Sequence, residues 1–170
     1  MPGSAVYDAN VLIDLEMADL LDPWLEISGE AHTTDFVASE LNRGGHQRAS
    51  ARIKSGRITC EQFSPEELSS IQSLREGTKP AISLADASVL WLARKWRCRL
   101  LTGDDALRKI ARKQGVEVHG TLWIFVGLVQ SDRLSREQAG IRLRRLLATD
   151  RRLPRDECDR LLLLWTKQPD

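Results

Sequence analysis

Short apolar runs alternate with longer segments of helical periodicity along residues 4–120. Each run has the length of a strand, and the segment after it repeats its apolar residues every three or four positions. This alternation predicts an α/β sandwich of three layers, with a central, mostly parallel sheet of about five strands and helices on both faces. The predicted strands are 4–8, 31–35, 57–63, 98–103 and 116–120, and the predicted helices between them are 10–25, 36–43, 46–56, 64–77, 83–96 and 104–115.

The rest of the chain has helical periodicity throughout. Residues 121–130 are almost wholly apolar, and two amphipathic segments follow at 135–149 and 155–165. We therefore predict a first domain over 1–130 and a helical extension over 131–170. The apolar side chains of this extension indicate that it packs on the domain or on a partner subunit; they are Ile141, Leu143, Leu146, Leu147, Leu161, Leu162 and Trp165.

Composition narrows the class of protein. With 170 residues, 42% of them hydrophobic, the chain is long enough for one domain with a true core. The net charge of +1 does not by itself indicate a nucleic-acid binder, and the three cysteines form no CxxC pair. The chain begins without a signal-peptide pattern and contains no apolar stretch of membrane-spanning length. We expect a cytoplasmic protein that does not enter a membrane.

Four carboxylates occupy strand ends, helix starts or apolar helix faces. Asp8 ends the first predicted strand, and Asp104 follows the strand "CRLLT" directly. Glu40 and Asp86 each share a helix face with apolar neighbours. Because parallel strands bring their carboxyl ends to one edge of the sheet, we expect these four side chains to converge there.

Converging buried carboxylates need a compensating cation, since one buried charge costs several kcal/mol. Hard oxygen ligands in this number suit Mg²⁺ or Mn²⁺. The three histidines, His32, His46 and His119, are scattered along the chain, which argues against zinc and against a catalytic histidine.

Each carboxylate also has a purely structural interpretation. Asp86 can complete a capping box with Ser83, and Asp8 and Asp104 can each cap the helix that follows them. Glu40 can lie at the edge of its helix face and reach water. These interpretations stay open for each residue alone.

Four stretches together resemble the PIN domain, in particular the toxin ribonucleases of VapC type. They are "VYDANVLIDL", "ASEL", "SLADASVLWLA" and "LLTGDDALRKIA", and the resemblance covers residues 4–127. It implies a divalent-metal-dependent endoribonuclease that uses Mg²⁺ or Mn²⁺, forms a homodimer and is restrained by a small antitoxin protein. It also implies functional residues: a catalytic and metal-binding quartet of Asp8, Glu40, Asp86 and Asp104, with Asn10 and Thr102 as polar helpers for substrate, water or metal.

Basic residues flank the predicted site on both sides. An RNA substrate needs cations where its phosphates approach the carboxylates, although such residues also occur simply as solvated helix faces. They are Arg94, Lys95, Arg97 and Arg99 before the "TGD" turn and Arg108, Lys109, Arg112 and Lys113 after it. In the extension, docking competes with RNA binding as the role of Arg142, Arg144, Arg145, Arg151 and Arg152.

Two other functional classes compete with the nuclease interpretation. A catalytically silent PIN-like scaffold for protein or RNA binding would not require the acidic set. A phospho-receiver would need paired acids after its first strand and a late lysine at a strand end, and the sequence offers neither. Of the adjacent pair at residues 104 and 105, we assign Asp104 to the metal side and Asp105 to the first helical turn, where the helix dipole favours a carboxylate.

Overall fold

Five parallel strands form one sheet in the computed structural model, which describes residues 3–166. The strands are β1 (Ala5–Tyr7), β2 (Ala31–Thr34), β3 (Thr59–Glu61), β4 (Arg99–Leu101) and β5 (Val118–His119), in the order β3-β2-β1-β4-β5. The predicted α/β sandwich with a five-stranded sheet is therefore confirmed. The outermost parts of the predicted 1–130 and 131–170 units, at residues 1–2 and 167–170, lie outside the described residues.

Ten helices accompany the sheet within the described range. They are α1 (Ala9–Met17), α2 (Leu21–Leu25), α3 (Asp35–Arg43), α4 (Gln47–Lys54), α5 (Pro65–Glu76), α6 (Leu84–Trp96), α7 (Asp105–Lys113), α8 (Thr121–Gln130), α9 (Arg136–Leu147) and α10 (Arg155–Thr166). Capping boxes begin α5 at Ser64 and α6 at Ser83.

The single helix predicted over 10–25 is wrong: the structure has two helices, α1 and α2, at this place. Asp19 lies between them in the left-handed backbone region, with φ 57°. The apolar spacing does not reveal this break, because Ala18 and Leu20 are buried on either side of Asp19 and continue the same apolar pattern.

The strand order places a switch point between β1 and β4. From β1 the chain moves outward to β2 and β3 on one side, and it later returns to fill β4 and β5 on the other. Because parallel crossovers are right-handed, the helices that follow these two sets of strands cover opposite faces. The connections leaving β1 and β4 diverge at their carboxyl ends, which is where open α/β sheets form a crevice.

The C-terminal helices pack on the rest of the chain through apolar and ionic contacts. Leu143 and Leu146 of α9 are fully buried, and Trp165 of α10 stacks on Phe125 of α8 with ring centroids 6.1 Å apart. Arg142 donates a hydrogen bond of 3.1 Å to the carbonyl of Ala18. No helix in residues 3–166 combines the length and apolar character needed to cross a membrane.

Candidate active site

Asp8 lies at the carboxyl end of β1 and is the N-cap of α1. Its carboxylate is 3% exposed. One oxygen accepts a hydrogen bond of 2.7 Å from the backbone N–H of Ala9, and the other accepts bonds of 2.7 Å from Asn10 and 2.6 Å from the hydroxyl of Thr102. All three donors are neutral, so they orient the carboxylate without neutralising it.

The electrostatic surroundings of Asp8 oppose its ionisation. Burial, with smaller contributions from the nearby charges of Asp86 and Glu40, raises its pKa to about 7, against the opposing hydrogen bonds of Thr102 and Ala9. Within residues 3–166, no lysine, arginine or histidine forms an ion pair with Asp8. The site therefore concentrates negative charge that only a bound cation or proton can offset.

The end of β4 is joined directly to Asp8. Thr102 is fully buried, and its hydroxyl also accepts bonds of 3.3 Å from Asn10 and 3.1 Å from the backbone N–H of Asp104. The side-chain oxygen of Asn10 accepts a bond of 2.7 Å from the N–H of Gly103. Asn10 and Thr102 thus connect the ends of β1 and β4 across the switch point.

Asp104 and Asp105 differ in their bonding. Asp104 is the N-cap of α7 and accepts a bond of 2.7 Å from the N–H of Leu107, so the capping interpretation is correct for one of its oxygens. Asp105 lies in the first turn of α7. Both line a cavity of about 530 Å³ that Asn10 also lines, so both carboxylates can be reached from the same solvent space.

Asp86 is half-buried near the start of α6. It completes the capping box that the sequence left open, accepting a bond of 2.9 Å from the N–H of Ser83 while Ser83 accepts 3.0 Å from Asp86. The same carboxylate lies close enough to Asp8 to raise its pKa. Capping and a place beside Asp8 are therefore compatible.

Glu40 is less enclosed than its sequence pattern predicts. Helix α3 buries Val37 and Leu41, but Glu40 is exposed. The reason is that Phe36, its neighbour one turn earlier, is itself only half-buried, so Glu40 lies at the edge of the apolar face. Its charge still acts on Asp8.

The donor chemistry of this site fits a divalent cation. In the described part of the chain, no three His, Cys, Asp or Glu side chains form a ready cluster for a metal ion. Carboxylate oxygens without a cationic partner are nevertheless the ligands that Mg²⁺ and Mn²⁺ prefer, and Asp8 has two neighbouring carboxylates and a raised pKa. We take the residues as compatible with such an ion, with Asp8 at the centre.

Asp14 of α1 is a second buried carboxylate, which the sequence pattern did not identify. It accepts a bond of 2.6 Å from the hydroxyl of Thr121 and forms an ion pair of 2.5 Å with Arg151. Arg151 also donates a bond of 3.0 Å to the backbone carbonyl of Asn10. The apolar neighbours of Asp14, Val11 and Leu15, are the signal that could have identified it.

Comparison with known proteins gives a family and a fold. The family model described as DUF3368, a PIN domain, matches residues 4–167. No curated protein matches the chain. Among solved structures, the chain is similar to PAE2754 from Pyrobaculum aerophilum, with a TM-score of 0.55, 17% identity, and coverage of 76% of this chain and 99% of that one. It is also similar to a PilT N-terminus domain protein, SSO1118, from Sulfolobus solfataricus P2, with a TM-score of 0.49, 10% identity, and coverage of 74% and 92%.

Proposed function

The chain belongs to the PIN domain family, and on this premise we propose that it is an endoribonuclease that depends on Mg²⁺ or Mn²⁺. PIN domains are generally nucleases, and they typically use divalent metals. The observation that carries the proposal is the buried carboxylate of Asp8, which has neutral donors, two neighbouring carboxylates and no paired cation in the described residues.

The residues that would hold the metal are Asp8 with Asp86 and Asp104, and Glu40 through water or at a second position. Asp86 and Asp104 each use one oxygen to cap a helix, and no hydrogen bond within residues 3–166 occupies the other. A bound divalent ion supplies an activated water and relieves charge on the scissile phosphate.

The neutral residues of the site hold its geometry. Thr102 and Asn10 both donate to the same oxygen of Asp8, which fixes the orientation of the carboxylate. Asn10 is itself fixed by the N–H of Gly103, so its amide cannot turn over without losing a bond. These contacts hold the Asp8 carboxylate in one orientation at the carboxyl end of β1.

The test is cleavage of single-stranded RNA with and without metal. We expect cleavage in Mg²⁺ or Mn²⁺, its loss in EDTA, and its loss in Asp8→Asn. The matched control is Asp105→Asn, which removes an exposed carboxylate from the same cavity and should leave cleavage nearly unchanged. Normal turnover by Asp8→Asn would contradict the proposal, and inactivity on diverse RNAs would favour the silent scaffold.

The resemblance to VapC proteins supports a finer proposal: the chain acts in the cytoplasm as the toxin of a type II toxin-antitoxin pair. Its partners would then be RNA, a small antitoxin protein and a second copy of the chain. A neighbouring reading frame that encodes a small DNA-binding protein, and relief of growth arrest when both are expressed, would support this role. Growth unaffected by the chain alone would contradict it, and light scattering tests the homodimer.

A further inference from the structure

A second cleft of about 530 Å³ adjoins the cavity that contains Asp104 and Asp105. It lies between α7, the start of α8 and the segment that connects α9 to α10. The two cavities share Gly103, Arg152, Leu153 and Pro154 in their walls. A chain-like ligand can therefore occupy both at once, and the volume suits a small-molecule fragment the size of a nucleotide.

Three arginines line this cleft: Arg108, Arg112 and Arg152. Within the described residues, none of them forms an ion pair or a side-chain hydrogen bond. The Nε atom of Arg108 is buried without an acceptor. Burial and the neighbouring charge of Arg112 lower the pKa of Arg108, and the carboxylate of Asp105 only partly opposes this shift. The cleft thus holds an excess of positive charge that an anion would relieve.

The backbone reinforces this charge at Gly120, the N-cap of α8. No side chain caps this ten-residue helix, and its first turn contains no acidic residue. A Cβ atom at position 120 would lie 3.3 Å from a terminal nitrogen of Arg108, so the absence of a side chain leaves room for the guanidinium there. Guanidinium groups beside the free N–H groups of a helix start are a favourable environment for phosphate.

Another part of the cleft wall is aromatic and apolar. Trp123 is half-buried: His119 stacks on it with ring centroids 4.2 Å apart, Trp24 packs edge-on with centroids 5.5 Å apart, and the guanidinium of Arg99 lies 5.4 Å from its ring centroid. Leu153 and Pro154 also line the cleft. An aromatic and apolar wall near a phosphate-binding cluster is a combination that suits the bases of single-stranded nucleic acid.

One carboxylate, Glu157, lies in the same wall, but it does not neutralise the arginines. Arg160 donates two hydrogen bonds to it, of 3.0 Å and 2.5 Å. This pair also lowers the pKa of Glu157, so its charge is already matched at neutral pH. The three arginines remain available to a ligand.

We propose that this cleft binds the nucleotide next to the scissile phosphate of a single-stranded RNA. Its phosphate lies against Arg108, Arg112 and the start of α8, and its base lies along the apolar wall to which Trp123, Leu153 and Pro154 contribute. The inference rests on the proposed function, because it takes the neighbouring carboxylates as the place of cleavage. It adds a nucleotide-binding subsite, and the position of this subsite sets the path of the RNA strand into the candidate active site.

The test measures binding without cleavage. The probe is a fluorescein-labelled single-stranded oligouridylate, titrated with the protein in EDTA and followed by anisotropy. We expect Arg112→Ala and Arg108→Gln each to weaken binding roughly tenfold and to lower the salt slope by about one. Trp123→Leu weakens binding with an unchanged salt slope. Thermal melting identifies any variant that has failed to fold.

Lys109→Ala and Lys113→Ala are the matched controls, because both lysines are exposed on α7 and neither lines the cleft. If they weaken binding as much as Arg112→Ala, the helix acts only as a diffuse charge and the subsite is wrong. The proposed subsite would also be wrong if the protein bound duplex RNA as tightly as the single-stranded probe. The same conclusion would follow if an acidic peptide displaced the probe as readily as unlabelled RNA does. RNA binding here by a chain that never cleaves would refute the nuclease proposal and leave the subsite standing.

Discussion

Asp8 is the N-cap of one short helix and Asp14 lies in its second turn, and both are 3% exposed, yet their surroundings differ in charge. Asp14 has the guanidinium of Arg151 and the hydroxyl of Thr121. Asp8 has only neutral donors, with two more carboxylates nearby. Burial raises the pKa of both, but at Asp14 the arginine opposes the rise.

The difference separates a buried carboxylate that is paired with a cation from one that is not. A buried carboxylate that carries its own cation is a finished contact, because nothing further is needed to balance its charge. A buried carboxylate without one costs stability in the isolated chain, and such a cost is typical of a site that a ligand completes.

The largest expected effect is on catalysis at Asp8. If the proposed function is correct, Asp8→Asn should lower cleavage by roughly a thousandfold or more, because it removes the proposed central metal ligand. The free energy of unfolding should change little, because two effects oppose each other. The asparagine side chain of the variant has no buried charge, which favours folding, but it faces the side-chain amide of Asn10, which donates a hydrogen bond to this position. Single-turnover cleavage and urea unfolding of the same preparation measure both. Strong unfolding of the variant would mean that Asp8 is structural after all.

The second effect is on the pH dependence of stability without metal. The folded pKa of Asp8, about 7, exceeds the ordinary value of 3.8, so the folded state holds this proton more tightly. The contribution of this proton to the free energy of unfolding is complete below about pH 4. It is lost as pH rises towards 7, and the total loss is on the order of 4 kcal/mol. Urea unfolding across this range in EDTA measures it.

Asp8→Asn is the control for that measurement, because it removes the titrating group. The variant should lack most of the decline between pH 4 and 7 that the natural chain shows. If both proteins lose stability in parallel, the decline belongs to other groups and Asp8 is not strained by its surroundings. Added Mg²⁺ should also reduce the decline in the natural chain alone.

The third effect is on the paired carboxylate. Arg151→Met leaves Asp14 buried without its cation, and we expect a loss of about 3 kcal/mol in the free energy of unfolding. Arg151→Lys keeps a positive charge and should lose less. Chemical unfolding at neutral pH distinguishes them. A stable Arg151→Met variant would mean that Asp14 is protonated in the fold, and the contrast with Asp8 would disappear.

The smallest effect separates the adjacent pair at the start of α7. Asp104→Ala removes both a cap and a proposed ligand, with a stability loss of about 1 kcal/mol. Asp104→Ser retains a capping oxygen, so a loss of cleavage in that variant reports the ligand role. Asp105→Ala should change neither property appreciably. Equal damage to cleavage from Asp105→Ala would show that the wrong carboxylate was assigned.

The periodicity of apolar residues predicted much of the fold, because local sequence signals mark the ends of each strand and of most helices. Ser83 caps α6 as its "SLAD" pattern predicted, and the strand and helix around the "TGDD" turn have the predicted types. The break at Asp19 could not be predicted, since the apolar spacing continues through it. The environment of Asp14 was also beyond local reasoning, because its partner Arg151 comes from a loop much later in the chain.

The carboxylates illustrate the same limit within the site. Sequence spacing correctly predicted that Asp8 and Asp86 lie near each other, because the end of β1 fixes the position of Asp8 and the start of α6 fixes that of Asp86. It did not distinguish the depth at which each side chain lies. Asp8 is fully enclosed while Glu40 reaches solvent, and that difference arises from the packing of Phe36 rather than from any pattern within α3.

The bond from Arg151 to the carbonyl of Asn10 has a consequence for how the protein is made. The two residues are 141 positions apart. A ribosome synthesises α1 well before Arg151, so Asp14 has no guanidinium until the growing chain has passed residue 151. The helix that Asp8 caps therefore acquires this contact only after the 141 residues that follow Asn10 have been translated.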